Sequence, residues 1–269
     1  MDIKTNLKLW NEKYNWANEG EEWSTAWGGS AMEWYGSILP RIHSFVPAGT
    51  ILEIGPGFGR WTKFLIYLCK KLILVDLSEK CIQACKNKFG EHLNILYYVN
   101  DGKSLEMIPD DSIDFVFSFD SLVHAEEDVI ELYLNQLQRK ITKEGFGFIH
   151  HANIGEYRTY FQLIERIPIR TRQLLKRVSI IEKDDHRRAY SMTARKFRTS
   201  AEKAGLRIIS QEIINWGTKR LIDCISIFVR KDSNLIYPGI VKRNKDFMKE
   251  VGYINELSML YELRKDSVQ

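Results

Sequence analysis

The stretch Ile51-Leu-Glu-Ile-Gly-Pro-Gly-Phe-Gly-Arg60 runs a short apolar strand into a glycine-rich turn that carries a carboxylate. Gly55, Gly57 and Gly59 lack the Cβ that would block a sharp turn and hold a ligand away from the backbone. A helix starting near Arg60 is expected to pack behind them. The spacing is G-x-G-x-G, not the G-x-G-x-x-G of dinucleotide sites, which seat a pyrophosphate on a helix N-terminus. Glu53, two residues before the first glycine, adds negative charge where a phosphate would be repelled, so a cationic nucleoside cofactor fits better. A second apolar strand, Lys71-Leu-Ile-Leu-Val-Asp76, also ends in a carboxylate, placed to accept hydrogen bonds from both ribose hydroxyls. Asp76, followed by Leu77, is therefore the second anchor.

Outward from these two strands, β and α signals alternate. Helices are expected over about 60–69 and 79–89, the second capped by Ser78, and strands over 94–99, 113–119 and 145–149 with a helix at 127–140 before the last. Farther on, Thr193 caps a helix over 194–204, Gly205 stops it, and 206–214 and 221–229 supply two more strands. The pattern predicts an α/β protein with a seven-stranded sheet. Its core domain spans 45–230 with an insertion at 153–192, flanked by an N-terminal segment, 1–44, and a helical C-terminal tail, 231–269.

The strand ends resemble those of the class I S-adenosylmethionine (SAM) dependent methyltransferases over most of residues 45–230. The resemblance implies a Rossmann-like sheet whose last two strands form an antiparallel hairpin. It also implies SAM as cofactor, with S-adenosylhomocysteine as product. The loop of Glu53, Gly55, Gly57 and Gly59 would cradle the methionine part and Asp76 the ribose. Asp101, followed by Gly102 after the third strand, would face the adenine amino group. The segments W-G-G-S, E-I-G-P-G-F-G-R-W-T, F-S-F-D-S-L-V-H and F-I-H-H-A-N are similar to a bacterial subgroup associated with surface-polysaccharide synthesis. That second likeness implies a sugar hydroxyl as methyl acceptor.

Composition agrees with a globular enzyme. The chain has 269 residues, 44% hydrophobic and 28% charged, with a formal charge of +4. No apolar run is long enough for a membrane span, and Met1-Asp-Ile-Lys-Thr-Asn6 lacks a signal peptide's apolar core, so a cytoplasmic location is expected. Cys69, Cys81, Cys85 and Cys224 form no C-x-x-C pair and read as packing residues.

Three segments exceed the minimal fold. The first 40 residues hold Trp10, Trp16, Trp23, Trp27 and Trp34 and suit an aromatic lid, with Trp27 and Gly28 as its expected cofactor contacts; a helix pair packed on the sheet is the plain alternative. The insertion is rich in arginine, from Arg158 through Arg188. It would attract an anionic glycan, a nucleotide sugar, RNA or an anionic membrane surface, the last giving peripheral attachment at the inner membrane. No RNA-reading module interrupts it, so nucleic acid is not favoured. In the tail, apolar residues from Phe247 to Leu263 follow a helical spacing that serves either an intramolecular brace or a homodimer contact.

Methyl transfer from a sulfonium chiefly requires an acceptor held in line with the methyl carbon. A sugar hydroxyl also needs its proton removed, and histidine is the usual base near neutral pH. His124, His150 and His151 follow strands four and five, at the carboxyl edge where open α/β sheets bind ligands, and Asp120 stands ready to orient one of them. Asp120, His124 and His151 could ligate a divalent metal, but the closely spaced acids of metal-dependent relatives are missing, and metal independence is expected. The Asn/Asp-Pro-Pro-Tyr type of motif that binds a base or amide nitrogen is also missing. The reading is an O-methyltransferase acting on a saccharide or other anionic hydroxyl-bearing substrate. Its rivals are methylation of RNA or another small molecule, and a SAM-binding partner subunit without catalysis.

Overall fold

The structure, a computed structural model, describes residues 2–90, 92–178, 180–182, 187–235 and 239–261. Its strands are β1 (Ala48–Ile54), β2 (Cys69–Asp76), β3 (Ile95–Val99), β4 (Ile113–Ser118), β5 (Ile141–Ala152), β6 (Leu206–Ile214), β7 (Asp223–Arg230) and β8 (Ile240–Asn244). They form one sheet in the order β3-β2-β1-β4-β5-β7-β6-β8, parallel except that β7 runs against both of its neighbours. The end of β1, Ile51 to Ile54, is buried throughout, as expected of a parallel strand covered on both faces. Helix Glu79–Phe89 packs on β2 and β3, and helix Ala194–Lys203 on β6 and β7.

Two expectations are corrected. The sheet has eight strands, not seven, because Ile240–Asn244 joins the edge beside β6, so the tail is not helical throughout. Ile240 and Val241 are both exposed, which leaves no inside-outside alternation to read; this strand is held by backbone pairing and, at its end, by buried Asn244, which donates to Glu212 and Glu250 at 2.7 Å each. The expected helix over 60–69 is only a few turns, Thr62–Leu65 and Ile66–Leu68, because β2 already begins at Cys69. Beyond β8, helix Phe247–Tyr261 buries Phe247 and Val251 in the main core.

Order in the sheet reverses direction at β1, from which the chain steps outward to β2 and β3 on one side and to β4 and β5 on the other. Helical connections diverge there, opening a crevice above the carboxyl ends of β1 and β4. Gly147 lets β5 and β7 approach in the adjoining half of the sheet: a Cβ there would stand 2.2 Å from the Phe228 ring. Gly147→Ala is expected to destabilise the fold by about 1–3 kcal/mol through overpacking. An unchanged melting temperature would show that Phe228 can give way.

Candidate active site

A cavity fills that crevice. Its floor is the glycine turn (Gly55 to Phe58) with Asp76 and Leu77, and its far wall is Phe119 to His124 after β4. Trp10, Trp16 and Trp23 of the N-terminal segment form its roof. Gly55 and Gly57 have positive φ values of 73° and 56°. Trp16 lies directly over the turn, stacked on Phe58 with 4.4 Å between ring centroids. Two hydrogen bonds are among the contacts that latch the roof. Asn11 Oδ1 accepts from the Ser78 hydroxyl at 2.9 Å, and Asn6 Nδ2 donates to the His124 carbonyl at 3.2 Å.

Charges behind the cavity compensate one another. Asp120, held in left-handed backbone at φ 57°, receives Arg60 at 3.0 Å and Arg188 at 3.3 Å. Arg188 also grips Asp223 at 2.8 Å. Burial alone would raise the Asp120 pKa, but Arg188 and Arg60 hold it below the usual carboxylate range. Glu33, buried 3.8 Å from Arg60, is pushed up to about 8 by burial against that arginine's pull. Two guanidinium groups thus face two carboxylates, and the net charge of the set is near zero at neutral pH.

The three candidate histidines separate. His151 points to the opposite face of β5 from His150, as neighbours on a strand must. There it stacks on Phe197 at 4.0 Å, donates from Nδ1 to the Ala152 carbonyl at 2.9 Å and accepts from Ser226 at 2.8 Å. His150 accepts the Asp120 backbone N–H on Nδ1 at 3.2 Å, so its proton is on Nε2, directed at Asp223 at 3.2 Å. Both of its nitrogens are committed. His124 alone of the three lines the cavity. Its Nδ1 lies 3.0 Å from the Arg187 carbonyl and must donate to it, which leaves Nε2 as the basic nitrogen. Burial first, and Arg188 second, lower its pKa to about 4, so the ring is neutral at pH 7.

This arrangement of strand ends has counterparts. Residues 51–145 match the family model described as a methyltransferase domain. Residues 51–145 are thus those of a methyltransferase domain, set in a sheet of the class I SAM-dependent methyltransferase fold. The same methyltransferase fold is seen in the crystal structure of magnesium protoporphyrin IX methyltransferase from Synechocystis PCC 6803 with bound SAH. That likeness has a TM-score of 0.54 at 15% identity, over 85% of this chain and 100% of the other. Phosphoethanolamine N-methyltransferase 3 of Arabidopsis thaliana is 28% identical over 117 residues, 42% of this chain and 24% of that protein. Ribosomal RNA small subunit methyltransferase A of Coxiella burnetii (strain RSA 331 / Henzerling II) is 28% identical over 142 residues, 46% of this chain and 55% of that protein. The chain thus spans between about a quarter and about half the length of the curated relatives it matches.

The residues of this methyltransferase domain suit SAM. Asp76 borders the cavity and already accepts backbone N–H groups from Ser78 at 2.8 Å and Gly57 at 3.2 Å, leaving lone pairs for ribose hydroxyls. Burial raises its pKa to about 6 despite these bonds. Glu53 sits behind the turn, not on the cavity surface. It accepts from Thr62 at 2.7 Å, its other oxygen is buried without a partner, and burial pushes its pKa to about 8. Leu77 and Gly102 line the cavity. Gly59 does not: it faces the Phe89 ring and lets helix Glu79–Phe89 close against the turn.

Three more expected contacts, besides Glu53 and Gly59, lie elsewhere. Asp101 is exposed and outside the cavity lining, its carboxylate capping Lys103 and Ser104 of its own turn. Trp27 is packed against Trp216 and Phe247 with its indole N–H on Ser37, and Gly28 abuts Ser258 of the C-terminal helix. The roof is made by other tryptophans of the same segment, and composition alone could not separate those facing the cavity from those facing the core. Arg188, counted by sequence with the surface basic residues, is buried in the charge cluster. Arg60 and Asp223 were not singled out, although Arg60 ends the motif itself. Among the described residues no group of three or more His, Cys, Asp or Glu is arranged to hold a metal ion. None of the described helices is long and apolar enough to cross a membrane.

These shifted groups predict the pH dependence of the cofactor-free protein. Glu33 and Glu53, near 8 when folded and about 4.5 when unfolded, keep protons that the unfolded chain has released. Their contribution is complete below pH 4.5 and lost as pH rises through 8. His124 and His151, near 4 and 3 when folded against 6.5 unfolded, act oppositely, their contribution present above 6.5 and lost as pH falls toward those values. Each proton is worth at most about 1.4 kcal/mol per pH unit. Thermal melts should therefore show greatest stability in mildly acidic buffer, declining toward pH 8 and again below about 4.5. A single plateau from pH 5 to 8 would contradict these assignments.

Proposed function

We propose that this methyltransferase domain transfers a methyl group from SAM to a hydroxyl of a saccharide, with His124 as general base. The observation that carries the proposal is the neutral His124 ring on the cavity wall, its tautomer set by the Arg187 carbonyl. An amine attacks as its neutral form and needs no such base, whereas an alcohol does. SAM, when bound, supplies an electrophilic methyl carbon. Asp76 and the glycine turn would hold the cofactor, and the tryptophan roof would exclude water and offer flat faces on which sugar rings stack. During the transfer the acceptor's proton would pass to His124 Nε2. Burial and Arg188 oppose the positive charge that the imidazole would then carry, and Asp120 and Asp223 offset them in part. The internally compensated Arg60, Asp120, Arg188 and Asp223 set suits an uncharged group at the reacting end of the acceptor.

The test is incubation with methyl-labelled SAM and separate saccharide, sugar-nucleotide, RNA and amine fractions, with and without chelator. Label confined to saccharide or sugar nucleotide and indifferent to chelator is the expected result. Label in RNA or amine would overturn the acceptor assignment, and SAM binding without transfer to any fraction would favour a non-catalytic subunit.

A further inference from the structure

We infer that helix Ile169–Arg177 is a docking surface for an anionic lipid bilayer. The helix lies in the insertion between β5 and β6, and none of its residues is buried. At 3.6 residues per turn, Leu174, Leu175 and the capping Val178 share one face, with Arg170 and Arg177 along one flank and Arg172 and Lys176 along the other. Leu174 is 60% exposed and Val178 54%, while Leu175 is half-buried, so two of the three apolar side chains stand open to solvent. The helix has no acidic residue, and none of its four cations has an ion-pair partner among the described residues.

An apolar stripe between two cationic rows is the pattern of a helix lying in a membrane interface. Its leucines enter the acyl boundary while arginine and lysine stems reach back to anionic headgroups. RNA would use the cations but would leave Leu174 and Val178 in water, so the bilayer accounts for both halves of the pattern and RNA for one. The surface is separate from the cavity lining, so the inference does not rest on the acceptor proposed above.

Flotation of the whole chain with phosphatidylcholine vesicles, and with vesicles also containing phosphatidylglycerol, tests it. Binding is expected only to the anionic vesicles. It should weaken about fivefold for each cation removed, as in Arg170→Gln and Arg177→Gln, and on the order of tenfold in Leu174→Ser/Val178→Ser. Circular dichroism and SAM binding of these variants should match the parent, because every substituted side chain is exposed. Binding that ignores lipid charge, no vesicle binding, or capture of an RNA oligonucleotide that only the arginine variants lose would each overturn it.

Discussion

Replacing Asp76 by alanine is expected to weaken SAM binding by about 1.5–3 kcal/mol for each of the two ribose hydrogen bonds lost, measured by calorimetry. The carboxylate ends β2 on the cavity floor, 6% exposed, its orientation fixed by the Ser78 and Gly57 amides. Those amides lose their acceptor in the free and the bound variant alike, so that cost falls on thermal stability and not on affinity. Asp76→Asn, which keeps the shape and part of the accepting capacity, should fall between the parent and the alanine variant. The pH dependence follows from the same group. With its pKa raised to about 6 by burial, Asp76 gains a proton as pH falls through that value, and charge-assisted bonds to ribose are lost. Affinity for SAM should therefore decline below about pH 6 in the parent, and this decline should be absent in Asp76→Asn. Equal affinity in parent and alanine variant would place the ribose elsewhere.

The parts of the fold legible in the sequence are those whose signal is local. The glycine turn, Asp76 and the Ser78-capped helix Glu79–Phe89 each depend on residues a few positions apart, and the structure has them where the pattern put them. Strand β8 has no such signal, since an edge strand with exposed side chains gains its pairing from a backbone that any sequence provides. Facing was the second loss. Period-two alternation says that His150 and His151 part company across the sheet, but not which face holds the cavity, and the answer is supplied by Phe119, Trp216 and Phe197 from distant segments. The charge cluster was the third. Arg188 looks like any arginine of a basic stretch until Asp223, 35 residues later, is brought within 2.8 Å.

His124 to alanine is expected to lower kcat by on the order of 10²–10⁴ while SAM affinity stays within twofold of the parent. Affinity should hold because Asp76 and the glycine turn, which would hold the cofactor, are untouched by the substitution. Loss of structure is a separate outcome and can be recognised. The Asn6 bond to residue 124 is made to its backbone carbonyl, which alanine retains, so the roof latch survives the substitution. A base role also makes a pH signature. With a pKa near 4, His124 should keep the parent's kcat level from pH 8 down to about 5 and let it fall below, unlike an ordinary histidine, whose loss would begin near 6.5. His151→Ala should leave kcat nearly unchanged once thermal stability is allowed for, because its ring stacks on Phe197 on the other side of the sheet. Added imidazole should restore part of the His124→Ala rate by occupying the space left by the ring. If that variant turns over at the parent rate, the acceptor needs no base, and an amine acceptor becomes the better reading of the same cavity.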